Sequence, residues 1–133
     1  MILVDSSVWI DYFKGRDTAQ TGLLESLLDS QELAIGDLNF IEVLQGCRIE
    51  REFNEVRRLL GRLEIVVLGG EDVIVQAARN YLKLRQLGAT VRGTLDVVLA
   101  TRCIVSGHRL LHCDRDFDPF ETHLGLKCVF NEA

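Results

Sequence analysis

Short, continuous apolar runs alternate along this chain with longer stretches whose apolar residues recur at helical spacing. Met1–Val4 is the first run, and it ends in Asp5-Ser6-Ser7. Unbroken rather than alternating hydrophobicity predicts a parallel strand covered on both faces. Val8, Trp9, Ile10, Tyr12 and Phe13 predict a helix that stops near Gly15, and Leu23, Leu24, Leu27 and Leu28 predict a second. Leu33–Ile35 reads as a strand and Gly36-Asp37 as a turn. Leu38–Gln45 reads as a helix closed by Gly46. Phe53, Val56, Leu59, Leu60 and Leu63 form another amphipathic pattern, with Arg57, Arg58 and Arg62 toward its wet side. Ile65–Leu68 predicts a third strand and Asp72–Leu87 a long helix ended by Gly88. Thr94 is the expected N-cap of a helix to about Ser106, with Gly107 as its stop. Leu110–Cys113 and Lys127–Phe130 complete the strands. Strands that alternate with helices predict an α/β fold with a parallel sheet.

The chain has 133 residues, which suits one domain, 1–133, with a real core. Its net charge of −5 argues against a purely electrostatic nucleic-acid binder. The distribution changes that picture. Arg79–Gly93 carries Arg79, Lys83, Arg85 and Arg92 with no acid, whereas Asp114–Glu121 is acidic apart from Arg115. A basic rim beside an acidic pocket suits a polyanionic substrate. The four cysteines form no C-x-x-C pair, so zinc is not expected. Cys103 and Cys113 are expected as core thiols in a reducing cytosol. Asp5 interrupts the first apolar run, which argues against a signal peptide, and no run approaches membrane-spanning length. A cytoplasmic protein without membrane association is expected.

Candidate chemistry lies in the acids. Asp5 follows the first strand, Glu42 lies in an apolar helix, Asp96 opens a helix, and Asp114 follows the fourth strand with Asp116 behind it. Strand ends on the carboxyl edge of an open parallel sheet converge on one crevice. Two carboxylates ~4 Å apart there repel by roughly 4 kcal/mol at an effective dielectric of 20. A hard cation relieves that repulsion, and oxygen-only ligands point to Mg²⁺ or Mn²⁺. Blander roles compete: Asp5 as a helix cap, Glu42 as a solvated side chain, Asp96 as a complement to the helix dipole. The neighbours Phe40, Ile41, Val43 and Leu44 predict a largely buried helix around Glu42, where an unpaired carboxylate is costly. An extended DRDFDPF segment would put Asp114, Asp116 and Asp118 on one side, and Asp118 before Pro119 reads as a turn or cap. His108, His112 and His123 are expected to be structural, and Trp9 to fill core.

Four segments, VDSSVWIDYFKG, NFIEVLQG, RGTLDVVLA and LLHCDRDFDPF, occur in that order across almost the whole chain. Together they resemble the PIN-domain ribonucleases, especially the VapC-like toxins of bacterial type II toxin–antitoxin pairs. The resemblance implies a three-layer α/β/α sandwich with a mostly parallel central sheet. It places the family's metal-binding and catalytic acids on Asp5, Glu42, Asp96 and Asp114, and a further acid on Asp116. Ser7 matches a polar auxiliary position and Thr94 a hydroxyl position near the third acid. Leu38 departs from the pattern, since many relatives carry Ser or Thr there. The resemblance further implies Mg²⁺ or Mn²⁺, a homodimer, an RNA substrate and a VapB-like antitoxin. Arg79, Lys83, Arg85 and Arg92, with Arg57, Arg58 and Arg62, are candidate phosphate contacts. Two rivals remain open: an α/β phosphoacceptor or phosphatase with Asp5 as nucleophile, and a non-catalytic PIN-like binding module.

Overall fold

The computed structural model describes residues 1–91 and 93–130. The chain runs β1 (Ile2–Val4), α1 (Ser6–Phe13), α2 (Ala19–Leu27), β2 (Leu33–Gly36), α3 (Asp37–Gln45) and α4 (Glu50–Leu60). It continues through β3 (Glu64–Val66), α5 (Glu71–Gln86), α6 (Thr94–Ser106), β4 (Arg109–Leu111), a 3₁₀ turn (Arg115–Phe117), α7 (Asp118–Leu124) and β5 (Lys127–Cys128). The strands form one sheet in the order β3-β2-β1-β4-β5, and every pairing is parallel.

Alternate residues of the apolar runs feed two cores. Ile2 and Val4, Leu33 and Ile35, and Leu111 meet Val8, Trp9 and Leu24 on one face, with Val43, Val56 and Leu60 from α3 and α4. Leu3, Ala34 and Leu110 meet Val73, Ala77, Val97, Leu99, Ala100 and Phe120 from α5, α6 and α7 on the other. This is why the central strands lack polar alternation: each has a helical layer on both faces. The result is the expected three-layer α/β/α sandwich.

Chain order sets the position of the site. From central β1 the chain builds outward through β2 and β3, then crosses to the other side of β1 for β4 and β5. The reversal opens a crevice beyond the carboxyl ends of β1 and β4. These ends are tied together, because the Asp5 N–H donates to the Leu111 carbonyl at 2.9 Å. Val4 pairs with Leu111, so Asp5 leaves the sheet level with His112 and Asp114 follows two residues on.

Several local expectations change. β3 and β4 end two residues sooner than the apolar runs, and β5 ends at Cys128. β2 includes Gly36, and α3 starts directly at Asp37, with no separate turn. The close packing there requires glycine: a Cβ on Gly36 would lie 2.6 Å from Asn39 Oδ1 and 2.7 Å from Leu68. Asp37 is structural, since its Oδ1 accepts from the Leu38 and Leu68 N–H groups at 2.9 and 3.1 Å. Gly93, not Thr94, is the N-cap of α6. Cys103 is a core thiol as expected, but Cys113 is exposed, because β4 has already ended. α3 is only half buried: Asn39 and Val43 face inward, whereas Ile41 and Glu42 are exposed. Its apolar composition exceeds what its inner face needs.

Candidate metal centre

Three elements deliver the acids. β1 is followed by Asp5, which caps α1: the Ser7 N–H donates to Asp5 Oδ2 at 3.3 Å, and the Ser7 hydroxyl donates to the same oxygen. Capping and a site position thus coexist in one residue. Asp96 lies in the first turn of α6, where the helix dipole favours negative charge. Its Oδ2 packs over Gly93, where a Cβ would lie 3.3 Å away. Asp114 caps the 3₁₀ turn, accepting from the Asp116 N–H through Oδ1 at 2.9 Å. Phe117 is fully buried beneath that turn and anchors it.

The DRDFDPF segment is therefore coiled rather than extended. The coil, not an alternating strand, brings Asp116 round beside Asp114. Asp118 becomes the first residue of α7, after its cap Phe117. One oxygen each from Asp96, Asp114 and Asp116 lies within 4.8 Å of the others. Among the described residues, none of the three is paired with a cation. Burial, reinforced by the charges of Asp5, Asp114, Glu42 and Asp116, pushes the Asp96 carboxyl up to about 7. Burial also raises Asp5, against the lowering effect of its Ser7 hydrogen bonds.

Asp5 and Glu42 border this trio without belonging to it. Asp5 is 6% exposed. Glu42 reaches the site from α3, where its Oε1 accepts from the Ser6 hydroxyl at 2.6 Å. Asn39 Nδ2 donates to Ser6 Oγ at 2.9 Å from a fully buried position. Asn39 was missed as a site residue, although it stands one helical turn before Glu42, a spacing that puts the two on adjoining faces; Ser6, the less favoured of the two serines after Asp5, turns its hydroxyl to Glu42. Ser7 supports Asp5 as expected. Thr94 lines a groove with Ile74, Tyr81 and Val98 at the start of α6, two residues before Asp96. His112 supports the site from outside, since its Nδ1 accepts from the Asp114 N–H at 3.1 Å and its ring packs on Phe117.

The candidate RNA contacts divide. Arg79 and Lys83 line a groove with His123 between α5 and α7, while Arg57, Arg58 and Arg62 line another beside α4. Arg85 is exposed on α5, and Arg92 lies outside the described residues.

An oxygen-only cluster that strains against its own charge fits a hard divalent cation. Ribonuclease VapC11 of Mycobacterium tuberculosis is 29% identical over 120 residues, covering 89% of this chain and 90% of that protein. Among solved structures, VapBC2 from Rickettsia felis, bound to a promoter DNA fragment, superposes with a TM-score of 0.76 at 18% identity, covering 97% of this chain and 98% of that one. VapBC-1 from nontypeable Haemophilus influenzae gives a TM-score of 0.74 at 18% identity, covering 97% of each chain. Residues 2–121 match the PIN domain model, so this chain belongs to the PIN domain family.

Proposed function

We propose that this chain is a divalent-metal-dependent endoribonuclease toxin that hydrolyses RNA phosphodiester bonds and is silenced by a VapB-like antitoxin. The observation that carries the reading is the Asp96–Asp114–Asp116 cluster, three carboxylate oxygens gathered within 4.8 Å with no cation partner among the described residues. Asp96, Asp114 and Asp116 would hold Mg²⁺ or Mn²⁺, with Asp5 and Glu42 completing the rim. A bound divalent ion supplies a lowered pKa for water and offsets charge on the scissile phosphate.

The chain's own groups do the rest. Ser7 fixes the Asp5 carboxylate, and Asn39 and Ser6 fix one oxygen of Glu42. The other Glu42 oxygen has no hydrogen-bond partner among the described residues and would orient a water or take its proton. A nucleophilic role for Asp5, as in a phosphatase, is disfavoured by its burial and by Ser7 occupying its Oδ2.

Incubation of the protein with total RNA tests this. Fragments carrying 5′-phosphate and 3′-hydroxyl ends are expected with Mg²⁺ and none with chelator. Cleavage that survives chelation, or ends bearing a 2′,3′-cyclic phosphate, would reject the mechanism. Adding the antitoxin should abolish the fragments.

A homodimer belongs to the same reading. The groove between α5 and α6 exposes Ile74 by 55% and Tyr81 by 38%, an apolar surface for a second copy. Sedimentation is expected to give a dimer that Ile74→Arg dissociates; a monomer at every concentration would remove this part.

A further inference from the structure

We propose that the groove beside α4 is a phosphate-binding track for single-stranded RNA, set apart from the cleavage centre; this rests on the ribonuclease reading above. Asn54, Arg57 and Gly61, with Arg58 and Arg62 one residue further on, recur at spacings of three and four residues along α4 and just beyond it. With Phe40 from α3 and Ile65 from β3 they line a groove of about 720 Å³. The three guanidiniums are exposed, and none has an ion-pair partner among the described residues. The acids of α4, Glu50, Glu52 and Glu55, are not part of the lining. An acidic chain thus keeps three unspent cations in a single groove.

The chemistry favours nucleic acid over an acidic peptide. Guanidinium forks match phosphate oxygens in a paired geometry. Arg57 to Arg62 spans ~7.5 Å of helix axis, enough for roughly two successive phosphates. Phe40 and Ile65 supply the apolar floor on which bases stack without regard to sequence. The second basic groove, around Arg79 and Lys83, is lined by aliphatic Ile104, Val105 and Leu124 and has no Phe, Tyr or Trp, its one ring being the imidazole of His123.

Position favours the same occupant. Phe40 and Glu42 are two residues apart on α3, and so about 200° apart around its axis. The helix turns Glu42 toward the carboxylates and Phe40 toward the arginines. A strand leaving the acidic crevice would cross α3 over exposed Ile41 and enter the groove about one helix diameter, ~10 Å, away.

The test is RNA binding by the full chain in chelator, which prevents cleavage, measured by fluorescence anisotropy across a range of KCl concentrations. Each phosphate contact to a single strand contributes about 0.7 to the slope of log affinity against log salt. The triple variant Arg57→Ala/Arg58→Ala/Arg62→Ala should lower that slope by about 1.4, the share of two phosphate contacts, and the triple Arg→Lys variant should recover most of it. All three positions are exposed, and unchanged melting temperatures will verify that the fold is intact. An unchanged slope in the alanine variant overturns the track. So does a groove that binds polyglutamate through the same arginines while RNA binding stays at the wild-type level, which would reassign it to an acidic peptide. If wild-type protein binds RNA with the full slope yet cleaves none in Mg²⁺, the ribonuclease reading fails while the track stands.

Discussion

Asp96→Asn should lower metal-dependent RNA cleavage by at least ~10²-fold, since a lost metal contact removes several kcal/mol of transition-state stabilisation. The same substitution should make the metal-free protein more stable at pH 8, not less. Asp96 is the carboxylate most opposed by its surroundings: burial and four neighbouring acids hold its pKa at about 7. An isosteric neutral amide removes that opposition and leaves packing unchanged. Activity and stability should therefore move in opposite directions, a combination that simple misfolding cannot produce. Thermal melting in chelator at pH 8, beside an RNA cleavage assay in Mg²⁺, reads both. Unchanged turnover would remove Asp96 from the site, and a lower melting temperature would mean that its charge is satisfied in the folded chain.

Acidity should control the wild-type site in a way that one residue dominates. A carboxyl whose folded pKa is raised contributes stability that is fully present below its unfolded pKa. That contribution is lost as pH rises through the folded value. For Asp96 the window runs from the ordinary 3.8 to about 7, and the raised pKa of Asp5 acts with the same sign. Without metal, the protein should be less stable at pH 8 than at pH 5. Asp96 is only half buried, so solvent screening reduces its share to about 1–2 kcal/mol. Metal binding has the reverse dependence, because the ion must displace the Asp96 proton. Mg²⁺ affinity should rise about tenfold per pH unit between 5 and 7 and level off above, and excess Mg²⁺ at pH 8 should restore the lost stability. Calorimetric titration at several pH values checks this, and a flat affinity profile would contradict it.

Much of this site was legible before the fold because its acids punctuate apolar runs. Asp5 follows three buried strand residues, Asp96 opens a buried helix, and Asp114 follows the strand that pairs with the first. Single-residue hydrophobicity suffices for those positions. Glu42 was placed in the site for a different reason from the one that puts it there. Its helix is not buried around it; a hydroxyl on α1 reaches across to it, and that hydroxyl rests on Asn39. Such a chain of side-chain contacts leaves no periodic trace. Thr94 as the N-cap of α6 and Cys113 as a core thiol were misplaced for a shared reason. Where an element ends decides which way the next side chain points, and a shift of one or two residues reverses it. Asp116 gained its place by the tight coil of Arg115–Phe117, which a two-residue alternation of acids does not reveal.

The central position of β1 also governs when the acidic cluster can exist at all. During synthesis Asp5 is made well before Asp114 and Asp116, which are added only after α6 and β4. At ordinary elongation rates that interval is roughly 5–20 s. Until β4 arrives, β1 has β2 on one side and an open edge on the other. A nascent chain of this design carries no assembled carboxylate pocket until β4 and the turn after it have been made, so an activity housed there could not begin before that point.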